Sequence, residues 1–233
     1  MDKIQQVKSI SIWIFLIPFV AVNSCLILIT EFQWLFPNQE DIIHNTFPYL
    51  DGGASISRTV RPYPSWLIFK PAMFLTSFFL IKYWYYSKDI VVFFNKDHKH
   101  LKKIIFFGVG SAIALTIHAI FLGIKFDNDL YKLFRRIIML MFIVFEITAQ
   151  AYLVAILYSF KGKIDEYVNK KILKLKLILI SVLVLVAIIC IPIIGWPGDN
   201  FKFLKHLLEW DYFLGVITFY LLTYFMWKKK INL

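Results

Sequence analysis

The chain has 233 residues, 59% of them hydrophobic and 18% aromatic, with a formal net charge of +11 and a mean hydropathy of +0.67. A soluble domain carries about 45–50% apolar residues, so this composition excludes a water-soluble fold, and spans of about 20 residues with their loops leave no room for a separate soluble domain. The lysines fall in short clusters between apolar runs, not along one basic face, which argues against nucleic acid as a partner and is the pattern of membrane topology.

In chain order the predicted spans are 10–30, 66–86, 104–124, 137–160, 175–196 and 210–227, which makes the chain an all-α, polytopic transmembrane bundle and a single transmembrane domain over 1–233. The first span follows Lys3 and Lys8. Asn23-Ser24-Cys25 stands where a lipoprotein cleavage box would fall, but the apolar run continues through Leu26, Ile27, Leu28 and Ile29, so the segment reads as an uncleaved span. The two cysteines, Cys25 and Cys190, both lie in apolar runs and imply neither a disulfide framework nor a metal site.

The connection 31–65 is the longest, and it holds Pro37, Pro48, Gly52, Gly53, Pro62 and Pro64. Its interior mixes apolar and polar residues too evenly for a solvated linker, so it is expected to fold back on the outer face of the bundle. The later run Lys96, His98, Lys99, His100 reads as a solvated cytoplasmic turn, whose lysines can also attract anionic lipid heads.

Orientation follows from the cations: seventeen of the 26 lysines and arginines flank the spans on the side that carries both chain ends. The cationic side is retained in the cytoplasm, which predicts that both termini are cytoplasmic. Trp34, Trp66, Trp84, Trp196, Trp210 and Trp227 stand at or near span ends, where amphipathic rings prefer the interface. No N-x-S/T sequon occurs. The expected location is the inner or plasma membrane of a bacterium, or an endomembrane or plasma membrane of a eukaryote.

The informative residues are polar groups inside the spans, because a charge at a helix centre costs about 2.5–3.5 kcal/mol on insertion scales. Glu146 lies near the middle of the fourth span with Gln150 one turn further on the same face. At about 100° per residue Arg135 falls within about 20° of Glu146, some 16 Å away along the axis. Lys70 stands one turn into the second span, and His118 about two turns below the outer end of the third. His206 and Glu209, at i and i+3 before the sixth span, share a helix face, and Trp210 and Asp211 follow.

With Asp51, Ser55, Ser57, Arg58 and Arg61 of the long loop, these residues are expected to line one outward-facing polar pocket. Its arginines offer planar donors to a lipid phosphate. The competing reading makes the same residues interfacial anchors and helix-bridging hydrogen bonds. A hydrolytic site could use His118, His206, Glu209 or Asp51, yet no H-E-x-x-H, G-x-S-x-G or paired-cysteine motif is present, and neither a metal nor a cofactor is implied.

The stretch Phe47-Pro48-Tyr49-Leu50-Asp51-Gly52-Gly53-Ala54-Ser55-Ile56-Ser57, followed by Tyr63-Pro64 and Phe69, together with His206-Leu207-Leu208-Glu209-Trp210, resembles the Frag/DRAM/Sfk group of six-span membrane proteins. The resemblance implies lipid-linked roles as varied as anchor remodelling, modulation of autophagy and support of phosphoinositide kinases. It carries over Ser55, Ser57, His206, Glu209 and Trp210 as candidate site residues. The leading expectation is a protein that recognises or handles a lipid or glycolipid headgroup without catalysis of its own, with membrane lipids and other membrane proteins as the expected partners. The alternatives are an intramembrane lipid-modifying enzyme using His206, Glu209 and His118, and a small channel or transporter lined by Glu146 and Gln150.

Overall fold

A computed structural model of the chain describes residues 3–96, 98–124, 128–160, 162–195 and 201–228. Trp196 and Lys125, which entered the reading of span ends and charge, lie outside them. Six long helices form the body: α1 (Lys3–Glu31), α4 (Ser65–Phe94), α5 (Leu101–Phe121), α6 (Asp129–Ser159), α7 (Lys170–Gly195) and α8 (Lys202–Met226). Two short helices, α2 (Pro48–Asp51) and α3 (Ile56–Val60), lie in the first connection beside single 3-10 turns at Gln33–Leu35 and Gln39–Asp41. Five helices, α1 and α4 to α7, are long and apolar enough to cross a membrane.

The six predicted spans each fall within or across one long helix, but most helices start earlier or end later than the apolar run. Backbone hydrogen bonding continues into the polar headgroup zone, where hydropathy no longer marks it. Pro18 in α1 and Pro71 in α4 sit inside helices without ending them, as neighbouring helices in a membrane bundle permit.

The helices pack as a ring in which each contacts the next in sequence, and α8 closes the ring by packing on both α7 and α1. Small residues allow the closest approaches: a Cβ at Gly108 of α5 would stand 2.4 Å from the Trp84 ring of α4. At one end Lys3 of α1 pairs with Asp89 of α4 at 2.8 Å. At that same end Asn169 N–H donates to the Met226 carbonyl at 2.7 Å, and Lys228 N–H to Tyr167 at 2.8 Å.

The core is apolar, and large apolar side chains cover the outside of the helices as well. Phe106, Ile188 and Leu185 are 64%, 59% and 57% exposed, while Glu146, Gln150, Lys176, Ser111 and Thr223 are buried. Apolar exposure over entire helix faces has no favourable partner except lipid. Inward-facing hydroxyls satisfy themselves on their own helix, Thr76 on the Ala72 carbonyl and Ser77 on that of Met73, both at 2.8 Å.

Candidate functional site

The first connection folds back onto the bundle as expected, and the candidate residues of loop and α8 form the clasp that holds it there. Trp210 Nε1–H donates to the Ala54 carbonyl at 2.8 Å, and its ring meets Tyr49 edge-on at 4.8 Å. Tyr49 OH in turn donates to Asn23 of α1 at 3.2 Å. His206 Nδ1 lies 2.9 Å from the Gly52 carbonyl. A carbonyl only accepts, so that nitrogen carries the ring proton. The Glu209 carboxylate faces the backbone N–H groups of Ile56 and Ser57. His206 and Glu209 thus share one face of α8, as their spacing requires, and both are spent on the loop backbone.

The loop's own turns are equally determined. Ser55 caps α3 by accepting the Arg58 N–H at 3.2 Å, and its hydroxyl lies 3.3 Å from that of Ser57. Asp51 accepts from Thr46 OH, Phe47 N–H and Gly53 N–H, each at 2.7 Å. Slight burial, the largest single influence, pushes the Asp51 carboxyl up, and the donors from Gly53, Thr46 and Phe47 together outweigh it. The group therefore sits below its ordinary value.

Beside the clasp runs an arc of positive charge. Arg58 is exposed and within electrostatic reach of both His206 and Arg61. Arg61, also exposed, feels like charge from Arg135 at the start of α6 and opposite charge from Asp41, and Arg135 acts on His118 near the end of α5. Arg135 Nε and His118 Nδ1 are buried atoms with no hydrogen-bond partner. Among the described residues no carboxylate lies within salt-bridge distance of Arg58, Arg61 or Arg135. Lys70 is an anchor: its Nζ donates to the Ile120 carbonyl at the end of α5 at 3.3 Å and lies 5.4 Å from the centre of the Trp66 ring.

Glu146 and Gln150 belong to neither group. Glu146 Oε2 accepts from Ser111 of α5 at 2.6 Å, and Oε1 accepts from Gln150 at 2.9 Å and from Tyr220 OH of α8. Gln150 Nε2 also reaches the Val216 carbonyl at 3.3 Å. Tyr220 lies eleven residues beyond Glu209 on α8, about 16 Å along the axis. The structure therefore separates the predicted residues into a clasp and a basic arc at the loop end of the bundle and a central polar knot.

Sequence reasoning missed most of the knot. Lys176, counted among the flanking lysines, is fully buried. Its Nζ donates to Thr223 at 2.7 Å and lies 3.7 Å from the centre of the Phe219 ring, and Tyr83 OH stands 3.3 Å from the same threonine hydroxyl. Hydropathy flags none of Ser111, Tyr83, Tyr220 and Thr223, which occur freely in spans. Lys176 is adjacent to the first residue of its predicted span and reads as a border charge. No group of three or more metal-ligating side chains occurs among the described residues. No family model, curated protein or solved structure matches the chain.

Proposed function

We propose that this is a six-span membrane protein, with α8 as the sixth crossing and both chain ends cytoplasmic, that binds the phosphate-bearing headgroup of a lipid or glycolipid at the arc Arg58, Arg61, Arg135 and His118, without catalysis of its own. The supporting observation is the imbalance of that arc. Three guanidinium groups and an imidazole from three elements follow one another within electrostatic reach, Arg58 to Arg61, Arg61 to Arg135 and Arg135 to His118, with Asp41 the one acid bearing on Arg61. Unmatched like charge at a membrane surface is costly, and a phosphate on the exposed guanidinium groups would relieve it. The clasp supports the same reading because it fixes the backbone that carries Arg58 and Arg61.

The test is lipid retention. Protein purified in nanodiscs of phosphatidylglycerol and phosphatidylcholine is analysed by native mass spectrometry for bound phospholipid. The double variant Arg61→Ala, Arg135→Ala is expected to bind it at least about tenfold more weakly, since each charge-assisted hydrogen bond is worth about 1.5–3 kcal/mol. Lys70→Ala, whose amine is engaged on α5, is expected to retain it. Equal retention in the double variant and the parent refutes the reading.

A further inference from the structure

Glu146 and Lys176 are the charged residue types buried among the described residues, and they do not touch each other. Lys176 has the surroundings of an ammonium: a hydroxyl oxygen at 2.7 Å and an aromatic face at 3.7 Å. Glu146 has three donors and no cation in contact. The titratable groups facing it are Tyr220 from α8 and Tyr83 from α4. Packed α5 supplies the neutral Ser111, and α7 contributes Lys176, whose partner Thr223 lies one turn beyond Tyr220 on α8.

The decisive detail is the single hydroxyl proton of Ser111. It has two acceptors, the Gly108 carbonyl at 2.8 Å and Glu146 Oε2 at 2.6 Å. When it points to Glu146, the carboxylate is ionised and accepts three hydrogen bonds. When it points to Gly108, Oε2 carries a proton and donates it to Ser111 Oγ, while Oε1 still accepts from Tyr220 and Gln150. Neither state leaves the Ser111 hydroxyl or the Glu146 carboxyl without a partner, so a rotation about one bond accommodates both.

A carboxylate with a fixed role in packing needs only one of these arrangements. We propose that Glu146 is a reversible proton-binding site in the middle of the bundle, at the junction of α5, α6 and α8. This goes beyond headgroup binding and involves none of the arc residues. Beside Thr223 lies a small, mostly apolar cavity lined by Tyr83, Ser87, Thr223 and Trp227 and by four apolar side chains. Trp227 Nε1 is buried there without a partner.

The experiment is infrared difference spectroscopy against pH on protein carrying carbon-13 glutamate, reconstituted in phosphatidylcholine nanodiscs. A protonated-carboxyl carbonyl band is expected that vanishes as pH rises, is lost in Glu146→Gln and persists in Glu209→Gln. If Glu146→Gln does not fold, persistence of the band in Gln variants of Glu31, Glu40, Glu166 and Glu209, the other glutamates, assigns it by elimination. A glutamate signal that does not change with pH while the protein stays folded overturns the proton site.

Discussion

Gly52 shows how much a single backbone position decides at the outer end. Its φ of +61° ends α2 in the left-handed region, where a side chain costs about 1–2 kcal/mol. A Cβ there would also stand 1.9 Å from the Phe203 carbonyl oxygen of α8, an approach no real Cβ makes. Gly162, with φ +93°, has nothing within 4 Å of the same position, so an alanine there meets strain alone. Gly52→Ala is expected to lift the loop from α8 and speed proteolysis of 31–65 in detergent by about tenfold or more. Gly162→Ala should leave that loop protected while lowering stability by about 1 kcal/mol. Equal protection of the loop in Gly52→Ala and the parent would show that the contact with α8 does not hold it.

At the level of elements, α8 does two jobs. Its first turns carry His206, Glu209 and Trp210 to the loop, and its later turns carry Tyr220 and Thr223 to the core. The apolar run from 210 revealed the second part. The first part was legible only as an i, i+3 pair, because its partners are backbone groups of a loop whose course no periodicity encodes. The loop itself is stabilised from within by Asp51. Its carboxyl sits below the ordinary value in the folded loop, so its contribution is fully present above the unfolded carboxylate value of about 4 and is lost as pH falls through the folded one. Proteolytic protection of 31–65 is therefore expected to decline in acid below about pH 4. Asp51→Asn should weaken protection at neutral pH and abolish that acid dependence; a decline of the same size in the variant would place the titrating group elsewhere.

Across the whole molecule, the bundle was legible because twenty-residue apolar runs admit few structures in lipid, while the distribution of polar groups within it was not. Depth along a helix follows from residue number, which is why Glu146 and Gln150 were correctly placed on one face. Which face of a neighbouring helix they meet depends on the ring order, and that order brought Ser111 and Tyr220 to Glu146 instead of joining it to the loop. Lys176 is the clearest case, since only the position of α8 beside α7 turns a border lysine inward.

The ring order also makes the membrane topology testable as a unit. The starts of α1, α5 and α7 and the ends of α4, α6 and α8 lie at one end, tied there by Lys3 with Asp89 and by Asn169 with Met226. The loop 31–65 and the start of α8 lie together at the other. If α8 crosses the membrane, single cysteines replacing Lys99, Lys163 and Lys228 label only from the cytoplasmic side, and those replacing Gln39 and Lys202 only from outside, in a background where Cys25 and Cys190 are serine. The clasp makes the last pair inseparable: because α8 enters the bundle bonded to the first loop, Gln39 and Lys202 must label from the same side. Labelling of Lys228 from outside, together with Gln39 and Lys202, would mean that α8 does not cross and that the ring is not closed in the membrane.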